Sequence, residues 1–259
     1  KREAVAILER ALGPDHMDLA TLLSTSANIH AMLGQHEQAR ALYQRAMAII
    51  TNALGPEHRR TRAIGRRQAN FFYNQGQPDR AEAALADDDS DEATLARARW
   101  AIVIGELERA KQLLALLGDP LEHARDGVWS DDPWLRGELL LAHAEVALAE
   151  RSFARARALA EGLRALGEPL AFFELAALVI EAELELASGS LTEATEHALA
   201  RELEQPGVPP ARRARVLLLR LRTADASARE QARAEALVAL QTAYGPAHPY
   251  RRALEVDQP

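Results

Sequence analysis

Cysteine is absent from this 259-residue chain, which excludes disulfide bonds and thiolate metal sites. Lysine is almost absent: it occurs only as Lys1 and Lys111, and arginine carries the rest of the positive charge. Together with abundant alanine, that bias is the composition expected of a GC-rich bacterial coding sequence. No apolar stretch approaches the roughly 20 residues of a membrane-spanning helix. The opening KREAVAILERAL reads as an amphipathic helix, not a signal peptide. The net charge is −7, whereas a general nucleic-acid binder is usually basic, so nucleic acid is a disfavoured partner. Aromatic residues are few and β-branched runs nearly missing, which leaves little from which to build a sheet.

What is present is an ordered composition, 48% hydrophobic and 27% charged. Apolar residues recur at three- and four-residue spacing, as in ALYQRAMAII and AFFELAALVIEAELEL. That is the period of helices with one apolar face. Glycine and proline gather at the boundaries between such segments. The length exceeds one ordinary compact domain. A stacked repeat escapes that limit, because each unit needs only its neighbours.

Such a repeat is visible. ALGPDH at 11–16 returns as ALGPEH at 53–58 and, loosely, as AYGPAH at 243–248. Gly13 and Gly55 are 42 residues apart, and eight of the sixteen positions in 1–16 and 43–58 are identical. Repetition at this period signals a solenoid. Within 17–53, MDLATLLSTSANIHAML is predicted as one helix, Gly34-Gln35 as a turn and HEQARALYQRAMAIITNA as a second helix. Glycine suits the left-handed cap that ends the first helix. Ala27, Ala39 and Ala46 let the two helices cross closely, and Tyr43 fills the space beside them. Gly55 stops the second helix, Pro56 cannot continue it, and the acidic residue that follows favours a new helix N-terminus.

Farther along, Ala69, Gly76, Ala81 and Leu85 take the same places. Ala98, Gly105, Ala110 and Leu114 mark a third unit. Ala144, Arg151, Ala156 and Ala160 mark a fourth, with arginine at the turn, and Ala182, Gly189, Ala194 and Ala198 a fifth. This order of small residue, glycine, alanine and large residue, at offsets of seven, five and four, resembles the tetratricopeptide repeat. The 42-residue period with its LGP-(D/E)-H lead-in is similar to the kinesin-light-chain type. The resemblance is specific over residues 1–86 and weaker beyond. It implies an all-α fold, a right-handed α-α superhelix of about six helical hairpins with partial terminal helices, forming one solenoid domain over 1–259. The expected pieces are a half repeat at 1–12, helical pairs at 17–53, 59–86, 92–117, 134–166, 170–204 and 211–243, and a cap helix at 247–256. The loose lead-in copy at 243–248 is expected to open that last helix, which the chain does not pair. Aligned by the period, Lys1 falls in the middle of a helix, so a longer protein is expected.

Two connectors interrupt the pattern: the acidic ADDDSDE at 86–92 and GDPLEHARDGVWSDDPW at 118–134. Asp131 or Asp132 is expected to cap a helix that has Pro133 in its first turn. Trp129 and Trp134 suit either a plug between loop and helices or an interaction hot spot.

No catalytic signature is present: no HExxH, no GxxxxGK[ST], no GxSxG and no glycine-rich loop after a strand. The chain is therefore not expected to be an enzyme, and no cofactor is expected. His16, His58 and His248 recur with the turn and are expected as caps or packed turn residues. His30, His36, His123, His143 and His197 lack metal-ligand spacing, so no metal site is expected. Glu181 and Glu185 are expected on a solvated face. Asp87, Asp88, Asp89 and Asp91 are expected in a solvated turn, since they lack the spacing and glycine of an EF-hand.

The resemblance implies that the first helix of each pair lines an inner side. One face round from the packing alanines stand Thr21, Ser24, Asn28 and Met32, then Arg66, Asn70, Tyr73 and Asn74, with Arg99 continuing the stripe. An asparagine follows the crossing alanine in both units; its amide donates and accepts, and can hold an extended peptide's backbone. Arg66 can grip a carboxylate with both arms. HRRTRAIGRR, 58–67, holds five arginines, suited to an acidic or phosphorylated peptide or to nucleic acid, but expected first as a solvated helix face paired to nearby acids. In later units Leu141, Glu145, Leu148, Val179, Glu183 and Leu186 make the stripe acidic and apolar. It would then orient a bound peptide, or its apolar members would serve the core.

The expected function is a protein–protein interaction scaffold with a peptide or partner domain in its groove and no membrane association. The resemblance suggests a cytoplasmic bacterial signalling protein such as a serine/threonine kinase as its host. Self-association, through residues 1–12 or the tryptophan stretch, is the alternative. A ligand-sensing region of a transcriptional regulator is a third reading.

Overall fold

The computed structural model describes residues 7, 9–86, 88–123, 132–166, 172–204, 210–225 and 227–256. Trp129, Asp131, Asp87 and residues 1–6 lie outside them. Among the described residues the regular structure is helical throughout. In chain order the helices are α1 (Met17–Met32), α2 (His36–Leu54), α3 (Arg59–Asn74), α4 (Pro78–Ala84), α5 (Asp91–Val103), α6 (Leu107–Leu117), α7 (Pro133–Ala149), α8 (Phe153–Arg164), α9 (Phe172–Ser188), α10 (Glu193–Glu204), α11 (Pro210–Thr223), α12 (Arg229–Ala243) and α13 (Pro249–Val256). Pro120–His123 adds one helical turn.

These elements group into two compact units. One draws on 1–89, 209–211 and 237–259, the other on 90–208 and 212–236. In the first, α1 pairs with α2 and α3 with α4. In the second, α5 pairs with α6, α7 with α8 and α9 with α10.

The hairpins share one turn, and its chemistry is local. Gln35 N–H reaches back to the His30 carbonyl (2.8 Å) and Gly34 N–H to that of Ala31 (3.0 Å). The same pair of bonds closes three later turns, with Gln77 bound to Phe72 (2.9 Å), Glu106 to Ala101 (2.8 Å) and Ser152 to Ala147 (2.8 Å). This cap needs a left-handed residue at its centre. Gly34, Gly76 and Gly105 take φ of 73°, 68° and 80°, and Arg151 takes 57° in the fourth turn.

The next helix often starts on a side-chain cap. His16, His58 and His248 each accept, through Nδ1, the backbone N–H two residues on, at 3.3, 3.1 and 3.3 Å. Asp132 accepts from Trp134 and Leu135 N–H (3.0 and 3.1 Å), and Ser90 from that of Ala93 (3.3 Å).

The crossings use the small residues that the spacing marks. Ala27, Ala39, Ala46, Ala69, Ala81, Ala98, Ala110, Ala144, Ala156 and Ala160 are fully enclosed, as are Tyr43 and Leu85. The fifth hairpin departs from this. Ala194 is exposed, and Thr195 and Leu199 are buried in the places expected of Ala194 and Ala198. Three residues separate the helices at each of the first four turns, but four separate α9 from α10. Gly189, at φ 136°, does not form the shared cap. One added residue advances the next helix by about 100°, so the following residue of each pair faces inward.

At the end of the chain the AYGPAH segment itself returns to the α3–α4 turn: Gly245 N–H donates to the Asn74 carbonyl at 2.9 Å, and His248 is buried. Residues 237–256 thus belong to the same compact unit as the first two hairpins.

Candidate functional site

Of the first-unit stripe, Thr21, Asn28, Met32, Asn70 and Asn74 are exposed on the neighbouring helices α1 and α3. Asn28 accepts the Tyr43 hydroxyl, which ties the residue after the crossing alanine to the residue that fills the crossing. Burial pushes the Tyr43 phenol well above its ordinary pKa. The Asn70 and Asn74 side-chain amides make no hydrogen bond among the described residues.

Other members of the stripe face inward. Ser24 is buried, and its Oγ accepts from Arg67 Nη1 at 3.0 Å. Tyr73 is buried, with its hydroxyl donating to Glu82 at 2.6 Å. Arg66 pairs at 2.9 Å with Asp88, whose side chain is only 4% exposed. Asp88 is therefore a buried ion-pair partner rather than part of a solvated turn. Desolvating a carboxylate is costly unless it is paired, and Arg66 supplies the pair. Arg99 lies in the second unit, bonded to Glu138.

Four of the five arginines of 58–67 are likewise engaged by the chain itself, while Arg59 is exposed. Arg60 lies 3.8 Å from Asp18, Arg62 pairs with Glu57, and Arg66 and Arg67 bind Asp88 and Ser24. In the second unit the acidic stripe is neutralised: Glu145 binds Arg215, and Glu183 binds Arg222 at 2.6 Å. Leu141 and Val179 are core residues. Glu181 and Glu185 are not on a free face either. Arg164 binds Glu181, and Glu185 accepts the Thr192 N–H (2.7 Å) and the Thr195 hydroxyl (2.8 Å). Trp134 is half exposed and leans on Phe173 at 5.2 Å between ring centroids.

A cleft of about 450 Å³ opens on the opposite face of α3, where Met47, Thr51, Gln68, Phe72 and Arg80 contribute to its walls. The Arg80 guanidinium lies 5.1 Å above the Phe72 ring. Sequence reasoning missed this cleft. Its walls come from the second helix of one hairpin and both helices of the next, so no single stretch advertises it. Among the described residues, no three His, Asp or Glu side chains gather as a metal ion would require, and no helix is long and apolar enough to cross a membrane.

Paired helices crossing at alanines, with a left-handed residue in the turn, define a helical-hairpin repeat region. Residues 2–49 and 18–87 each match the family model of the tetratricopeptide repeat, so residues 2–87 are a tetratricopeptide repeat region. No curated protein matches the chain.

Proposed function

We propose that this region holds an extended segment of a partner protein along the face formed by Thr21, Asn28, Met32, Asn70 and Asn74. Tetratricopeptide repeats generally mediate protein–protein interaction. The observation that carries the reading is the pair of exposed, unbonded amides at Asn70 and Asn74. Each offers a donor and an acceptor, the complement of a peptide backbone. Arginines 60, 62, 66 and 67 already serve the chain's own groups, and Arg59, at the start of α3, is exposed, so along Asn70 and Asn74 hydrogen bonding and shape select the segment, and a neutral peptide suits them. The resemblance to the kinesin-light-chain type of the repeat suggests, as its host, a cytoplasmic bacterial signalling protein such as a serine/threonine kinase.

The test is an array of neutral decapeptides of varied sequence, probed with the chain and with the Asn70→Ala, Asn74→Ala double variant. Two lost hydrogen bonds predict at least about a tenfold loss of affinity, with the helical circular dichroism unchanged. Equal binding by the variant removes this face from consideration. Arg66 is left in place, because removing it would strand the buried Asp88 carboxylate.

A further inference from the structure

We propose that residues 242–250 form a strap across the α1–α2 and α3–α4 turns, and that protonation of His248 opens it. The proposal does not depend on which partner the exposed face holds.

At Gly76 and Gly245 the contact is made by backbone against backbone, and at Gly34 the Thr242 side chain and backbone both take part. A Cβ at Gly34 would lie 3.2 Å from Thr242 Cγ2, and one at Gly76 would lie 2.3 Å from the Ala247 carbonyl carbon. One at Gly245 would lie 2.6 Å from the Gln75 carbonyl oxygen. The turn glycines of the first two hairpins therefore do two things. They form the caps, and they let the returning chain approach. Gly245 N–H donates to the Asn74 carbonyl, at the end of the exposed face.

His248 pins the strap. It is 2% exposed, stacked on Tyr244 at 4.1 Å between centroids, with Tyr250 edge-on at 5.2 Å. Its Nδ1 accepts the Tyr250 N–H, so the cap requires a neutral ring. A proton on Nδ1 removes that acceptor and places a charge in a buried stack.

The elements packed against the strap carry the following titratable and charged groups. The two turns contribute Gln35, Gln75 and Gln77, all neutral, and Asp79 in the first turn of α4 is exposed. The start of α2 brings His36, Glu37 and Arg40, and Glu37 is bonded to Arg40 at 3.1 Å. The strap's own helix adds Arg251 and Arg252. Burial lowers the pKa of His36 as well.

Burial pushes the His248 pKa from 6.5 down to about 4. The open form therefore binds the proton more tightly. Closure is fully favoured above the open-state value and weakens as pH falls below it. Between about pH 7.5 and about pH 5, the two values make the open fraction rise about 30-fold.

Hydrogen exchange tests this. The protection factor of the Gly245 amide should fall about 30-fold over that pH range, while that of Ile50 in α2 holds. In His248→Asn, whose amide oxygen keeps an uncharged cap acceptor, Gly245 protection should follow pH much less steeply, with only the His36 share remaining. A flat wild-type response, a parallel fall at Ile50, or a variant that tracks the wild type overturns the proposal. Should the variant not fold, NMR titration of His248 in the wild type decides: a midpoint below about pH 5 supports the strap, and one near the open-state value refutes it.

Discussion

At the scale of single residues, the clearest anomaly is Arg151, a non-glycine residue at φ 57° whose side chain is exposed. It completes the same cap as Gly34, Gly76 and Gly105. Arg151→Gly should raise stability by about 0.5–1 kcal/mol, the relieved left-handed strain less the extra freedom of glycine in the unfolded chain. Thermal unfolding reads the effect, and a lower midpoint would mean that the arginine side chain stabilises the turn in some further way. This position was legible from spacing alone, since it stands where the other units place glycine. The three cap histidines were legible for the same reason, because their recurrence follows the repeat. Arg66 was not: its neighbours gave no sign that Asp88, in the connector after α4, would be buried against it.

At the scale of elements, the crossing is what the small residues secure. Ala39 is fully enclosed where α1 meets α2. Ala39→Arg should destabilise by several kcal/mol, since a long charged side chain cannot enter so close a contact. Denaturant unfolding would measure it, and an unchanged midpoint would mean that α1 and α2 do not pair at this residue. The fifth hairpin shows the limit of reading elements by offset. Gly189 stands at the expected place, yet the turn around it is one residue longer, and Thr195 and Leu199 face inward instead of Ala194 and Ala198. Threonine and leucine at these places carry no periodic mark, so spacing pointed to the alanines beside them.

At the scale of the molecule, the first compact unit is completed by residues far away in the chain. Gly76 and Gly105 form the same cap, but a Cβ at Gly105 meets nothing within 4 Å while one at Gly76 meets Ala247. Gly105→Ala should therefore cost about 1–2 kcal/mol of backbone strain. Gly76→Ala should cost more and also lower the exchange protection of Gly245. Equal costs, with Gly245 unaffected, would show that the returning segment does not bear on the turn. The sequence by itself determined the helices, their turns, their caps and the alanine crossings of the first four hairpins. Each of these depends on residues within a turn or two of helix, or on one hairpin folding on itself. Only the tertiary structure decided which acids the arginines meet, where a cleft opens and where the chain's end returns. Those depend on surfaces from separate segments meeting at atomic distance, and neither periodicity nor composition records such a meeting.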